Sequence, residues 1–209
     1  MRALVSVAVL LLTIPAASKT AAPAITAIEP IRLSPGVNSV PGFLPGDRTA
    51  RIVEAWRGNG NAHGYSAWMV LTGPSEGEPV GLAPFADDDG ARYRDTIRDD
   101  PFDGERVMGS VVFARARVDG RPASITIDAE LDHTPDRPFA DHEPATIRVY
   151  RLTENDGVGP PLAFELIAKL HSAKRYCNVE LALRDMLGVP LPKDYAGPNA
   201  VDGCIRERS

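Results

Sequence analysis

The 209-residue sequence predicts a mostly β, sandwich-like single domain with one short C-terminal helix and a disulfide. Three observations carry that expectation. The chain holds 18 glycines and 19 prolines, which punctuate it too often for long helices. Apolar and polar residues alternate with period two through several segments, the mark of strands with one face in a core. Only the segment after Asn178 carries both a helix start and a helix stop. A hydrophobic content of 44% against 24% charged residues is enough to build one core, and the length suits one domain.

The elements follow in order. Met1-Arg2, an apolar run from Ala3 to Ile14, and the small residues Ala16-Ala17-Ser18 form the pattern of a secretory signal peptide over 1–18. Later cuts, as far as Ala24, fit equally. The run is shorter than the roughly 20 apolar residues that span a bilayer, and no Cys follows it to carry a lipid. The mature chain is therefore expected to be periplasmic or secreted, without membrane insertion, as a single β-rich domain over 25–209. Residues up to about Glu29 read as a mobile linker, with the β pattern starting at Ile31. Residues 50–56 and 65–71 read as two strands joined through Gly58-Asn59-Gly60-Asn61, residue types that tolerate positive φ. Residues 80–85 form a third apolar piece that leads into an acidic loop.

The clearest hairpin spans 111–131, with its turn at Asp119-Gly120. Val112, Ala114, Ala116 and Val118 share one face, as do Ile125, Ile127, Ala129 and Leu131 on the return arm. A two-residue loop pairs Ala114 with Ile125 and a four-residue loop pairs it with Ile127; both keep the apolar sets together. The other face, with Arg115, Arg117, Thr126, Asp128 and Glu130, is expected to be solvated. Strands over 145–152 and 163–170 follow, the second alternating Phe164, Leu166, Ala168 and Leu170 on one side. Asn178 is placed to cap a helix with Glu180 in its first turn and an apolar stripe of Val179, Leu183, Met186 and Leu187. Gly188 and Pro190 stop it.

Cys177 and Cys204 are the two cysteines of the chain. Outside the cytosol two thiols in a small chain generally pair. Such a bridge contributes roughly 3–4 kcal/mol on the chain-entropy model and would hold the Pro/Gly-rich tail to the body. A redox-active pair needs closely spaced thiols, which are absent.

The formal net charge of −5 gives no electrostatic reason to bind nucleic acid or anionic lipid. Arg92, Tyr93, Arg94 and Arg98 lie among Asp95, Asp99 and Asp100, so that stretch reads as a solvated segment. Asp128, Glu130 and Asp132 share one side of a strand, with Arg115 and Arg117 expected opposite as cross-strand partners. Asp87-Asp88-Asp89-Gly90 and residues 99–104 lack the ligand spacing of calcium loops. No G-x-S-x-G, S-x-x-K or H-E-x-x-H pattern occurs. No catalytic residue, metal or cofactor is assigned. A rival reading joins His133, Asp141 and His142, at the two ends of one Pro-containing loop, as the centre of an exported hydrolase or metal-dependent enzyme; their spacing matches no common zinc pattern.

The last candidate is the loop Asn59-Gly60-Asn61-Ala62-His63-Gly64-Tyr65, whose small residues admit a ligand close to the backbone while Asn, His and Tyr offer donors and acceptors. A plain connecting loop explains the same residues. The stretches Leu33-Ser34-Pro35-Gly36-Val37-Asn38, Ala55-Trp56-Arg57-Gly58 running into this loop, and Ala83-Pro84-Phe85-Ala86-Asp87-Asp88-Asp89-Gly90 together resemble the exported carbapenem self-resistance (CarG-like) proteins. The resemblance covers about half of the mature chain and is strongest over 33–90; residues 92–105 depart from it. It implies a periplasmic, β-rich, non-enzymatic binding or protection protein that shields cells from a β-lactam without destroying it. No catalytic residues carry over. The positions it singles out for ligand or partner contact are Asn61, His63, Tyr65, Asp87 and Asp88, and the partner is a small molecule or another envelope protein.

Overall fold

The computed structural model describes residues 22–58, 60, 64–73, 80–99, 102–103, 106–133, 142–157 and 159–191. The signal-peptide segment, Asn61, His63, Asp141 and Cys204 lie outside them. In chain order the first strands are β1 (Ile25–Pro30), β2 (Gly36–Leu44), β3 (Arg48–Arg57), β4 (Tyr65–Thr72) and β5 (Gly81–Leu82). Short strands β6 (Phe85–Ala86), β7 (Tyr93–Arg94), β8 (Ile97–Arg98), β9 (Phe102–Asp103) and β10 (Arg106–Val107) follow. The long strands β11 (Gly109–Val118), β12 (Arg121–Leu131), β13 (Ala145–Glu154) and β14 (Leu162–His171) precede the helix α1 (Val179–Leu187). They form a seven-stranded sheet ordered β1-β11-β12-β13-β14-β6-β7 and a five-stranded sheet ordered β2-β3-β4-β5, with β8 also on β4. Among the described residues, strands β9 and β10 form a two-stranded sheet of their own.

The β11–β12 hairpin takes the two-residue loop. Asp119 and Gly120 have φ of 50° and 75°, the left-handed pair whose twist matches the flanking strands. Val112 then pairs with Ile127 and Ala114 with Ile125, which places both apolar sets in one cluster. Helix α1 lies over that cluster, adding Val179, Ala182 and Leu183. Asn178 caps α1 by accepting from the Glu180 N–H at 2.8 Å, and Gly188 ends it at φ 69°.

The face of that hairpin expected to be solvated is so only in part: Arg115, Arg117 and Glu130 are exposed, but its middle is covered. Thr126 is fully buried and Phe113 is 2% exposed, because the five-stranded sheet covers this side. Phe113, Tyr150, Leu152 and Phe164 meet Phe43, Ile52, Trp68 and Val70 in a second core. Phe85 stacks on Phe164 with ring centroids 4.5 Å apart. The long sheet is thus covered on both faces, and its strands bury residues on both sides.

Two further expectations are corrected. Residues 25–30 are no linker: Ile25 pairs with Val118 and Pro30 with Ala114 at the edge of the long sheet. On β14, Val149 faces Ala168 but Tyr150 faces Leu166, so Ile167 is the extra residue of a bulge. The bulge reverses the side-chain sense. Phe164 therefore enters the inter-sheet core while Ala168 enters the core beneath α1.

Cys177 is 5% exposed and is not a free thiol. Among the described residues no helix is long and apolar enough to cross a membrane.

Candidate functional site

Residues 81–99 pass between the sheets. The chain pairs with β4 through β5, crosses to β14 at Phe85, turns, returns along β7, and rejoins β4 at Ile97. It leaves a charged roof over the polar half of β12 and β13. The space between is a cleft of about 870 Å³. Asp128, Glu130, Arg148 and Tyr150 line its floor; Asp87, Asp88, Asp89, Arg92, Arg94 and Arg98 line its roof, and His133 stands at one end.

Asp87 shapes the roof's turn. Its carboxylate accepts from the Arg92 N–H at 3.1 Å and from Arg92 Nε at 3.0 Å. The backbone bond from Arg92 is the main reason its carboxyl titrates below the usual range. Asp88 reaches the floor instead, 2.9 Å from Arg148 Nε and bonded to Lys169 Nζ. Lys169, then Arg148, holds the Asp88 carboxyl below its ordinary value. Arg148 also donates to Glu130 at 2.7 Å. Burial works against its charge, but Glu130, Asp88 and Asp128 outweigh that and keep the guanidinium firmly protonated.

From the returning strand, Arg94 donates to Tyr150 Oη at 3.1 Å and pairs with Asp128 at 3.3 Å. The Tyr150 side chain is buried and its phenol is pushed up to about 12, chiefly by desolvation. It accepts from Arg94 and keeps its own proton for a further acceptor. Asp128 is raised above the usual carboxylate range, because burial outweighs Arg94 and Arg148. The cleft therefore presents fixed cations, fixed anions and one neutral donor side by side. Such a set of groups can orient a polar or zwitterionic group.

The predicted site residues separate. Asp87 and Asp88 line the cleft. Tyr65 sits behind its wall: it accepts from Arg57 at 2.7 Å, and Arg98 lies 5.3 Å from its ring centre. Arg57, then Arg98, pulls the Tyr65 phenol below its usual value, against some desolvation. Arg115 and Arg117 do not serve the acidic strand. The tight turn pairs them with Ser124 and Pro122, and they bond to the carbonyls of Pro41 and Gly120. Their place is taken by Arg148, which faces Asp128 from the next strand, β13, and by Arg94 of β7, more distant in sequence. The stretch 92–98, expected to be solvated, supplies Arg94 and Arg98 to the cleft. Period-two alternation at Arg148 and Tyr150 marked them as one face of a strand, but nothing local told which roof would meet them.

Of the metal-ligand candidates, His133 Nδ1 shares a hydrogen bond with the buried Glu143 at 2.9 Å, and the His142 carbonyl accepts from Arg175 at 2.8 Å. Asp132 accepts from Thr146 Oγ1 at 2.6 Å, and that hydroxyl is 3.0 Å from His171 Nδ1. Among the described residues no group of three His, Cys, Asp or Glu could hold a metal ion.

No protein-family model matches this sequence, and no curated protein matches it significantly. Among solved structures, the crystal structure of CarG superposes with a TM-score of 0.56 at 13% identity, covering 75% of this chain and 94% of that one. At that identity the likeness is one of fold. The chain therefore has a CarG-like fold, in keeping with the resemblance read from residues 33–90.

Proposed function

We propose that this is an exported, non-enzymatic binding or protection protein of the cell envelope. Its charged cleft engages a small molecule or another envelope protein, and its specific role is β-lactam tolerance without hydrolysis. The observation that carries the reading is the fold shared with CarG over 94% of that chain. The cleft supports it physically. Arg94, Arg148 and the Tyr150 hydroxyl offer donors for a ligand carboxylate, while Asp88, Asp128 and Glu130 offer acceptors for a cationic or amide group. In this reading Cys177 pairs with Cys204 and ties the C-terminal segment to the folded body.

The test pairs chemistry with physiology. Purified protein incubated with a carbapenem should leave the drug's mass unchanged, while expression raises tolerance and Arg148→Met abolishes the gain with the fold retained. Rapid drug hydrolysis overturns the reading. If chelator-free protein carries stoichiometric metal that His142→Ala removes, the metal-dependent alternative using His133, Asp141 and His142 replaces it. Intact-mass analysis of periplasmic protein should show a removed leader and two fewer hydrogens than the reduced chain. An uncleaved leader with two alkylatable thiols refutes export.

A further inference from the structure

Strand β1 covers only part of its neighbour. The Ile31 N–H donates to Phe113 O at 2.7 Å and the Asp119 N–H to Ala24 O at 2.8 Å, so the odd-numbered residues of β11 turn their backbone groups toward β1. The β11–β12 register is unbroken from Gly109 to Val118, so Val111 points its N–H and C=O the same way. Pairing with β1 runs from Val118 only to Ala114, after which the Ile31 bond to Phe113 closes the contact and the chain leaves for β2. Among the described residues, nothing pairs with the outward edge of Val111.

That edge opens into a groove of about 520 Å³ at the seam of the two cores. Leu33, Trp68, Phe113, Leu183 and Val189 line it, with Glu54 and Arg32 among its charged residues. An apolar wall beside an unpaired strand edge is the geometry of strand addition: backbone bonds supply the attachment and side-chain pockets the selectivity. A bare apolar pocket would suit any greasy molecule. The aligned N–H and C=O of Val111, in the lane that β1 vacates, specify a backbone.

We propose that this groove is a second binding site, separate from the charged cleft, which takes a short extended peptide segment of a partner protein. The segment continues the lane of β1, exchanges two backbone hydrogen bonds with Val111, and places an apolar side chain against Trp68 and Leu183. The proposal does not rest on the β-lactam reading.

The probe is a fluorescein-labelled hexapeptide alternating threonine and valine, titrated into the full mature protein. Anisotropy should saturate, and the Val111 amide should exchange with solvent several-fold more slowly in the complex. Val111→Pro removes only the outward N–H, at an edge position where proline fits a strand, and should weaken binding at least about fivefold. Val111→Thr keeps the N–H and the shape and should bind within about twofold of the parent. No saturation by about 1 mM peptide overturns the proposal. So does equal binding by Val111→Pro, or an unchanged Val111 exchange rate on saturation in the unsubstituted protein, a measurement that needs no variant to fold. If the apolar dye N-phenyl-1-naphthylamine binds and the peptide fails to displace it, the groove takes small molecules and the strand-addition model is wrong.

Discussion

Replacing Asp128 with Asn should stabilise the protein at neutral pH, although Asp128 sits in an ion pair. The side chain is 14% exposed and its nearest cation, Arg94, stands at 3.3 Å while itself 45% exposed. A pair of that length with one solvated partner contributes about 1 kcal/mol or less. Burial nevertheless raises the Asp128 carboxyl above its ordinary range, so the ionised form costs more than Arg94 and Arg148 return. Asn keeps the shape and removes the charge. The expected gain is up to about 1 kcal/mol, or about 2–4 °C in Tm for a chain of this size. The sign follows from linkage. A carboxyl with a raised folded pKa destabilises the fold once ionised, and the protein recovers stability as pH falls through that raised value. The advantage of Asp128→Asn should therefore shrink toward zero on acidification from pH 7. Urea denaturation followed by circular dichroism at several pH values between 7 and 4 measures it. A variant less stable than the parent by more than about 1 kcal/mol at pH 7, or an advantage that grows on acidification, refutes the reasoning.

Asp88→Asn should act in the opposite sense. Its carboxyl is lowered by Lys169 and Arg148, so its stabilisation is present above the usual carboxylate range and lost as pH falls through the depressed value; with 45% exposure the loss should stay below about 1 kcal/mol in the same denaturation series. Asn178→Ala removes the α1 cap and should cost about 1 kcal/mol, read as a lower urea midpoint with an unchanged slope. A Cβ at Gly64 would lie 2.2 Å from the Trp56 ring, which is 62% exposed, so Gly64→Ala should swing the indole away and shift its emission while leaving the urea midpoint nearly unchanged.

Local pattern recovered what local physics decides. The period-two runs located β11 to β14, Asp119-Gly120 gave the hairpin turn, and Asn178 with Gly188 bracketed the helix. Its failures came from tertiary context. Nothing in Ile25 to Pro30 announces an edge strand, because β1 owes its state to the β11 backbone it joins. The apolar beat of Phe164, Leu166, Ala168 and Leu170 conceals Ile167, since a bulge changes register without changing composition. The acidic strand was legible as a face, but its cations were sought in the adjacent arm. Arg148 comes from the strand on the other side, β13, directly across from Asp128, while Arg94 arrives only once residues 81–99 have crossed between sheets. From the residues alone Asp87-Asp88-Asp89-Gly90 read as a turn, which Asp87 forms with Arg92; only the resemblance singled out Asp87 and Asp88, and the contact of Asp88 with Arg148 and Lys169 had no local signal.

The crossing of residues 81–99 has a mechanical corollary. The ceiling above Arg148 is sewn at three points, to β4, to β14, and to β4 again. Lifting it would tear stitches from both sheets at once. The cleft's outline is therefore set by backbone pairing, and its character by the side chains that furnish it, which can be exchanged without disturbing those pairings.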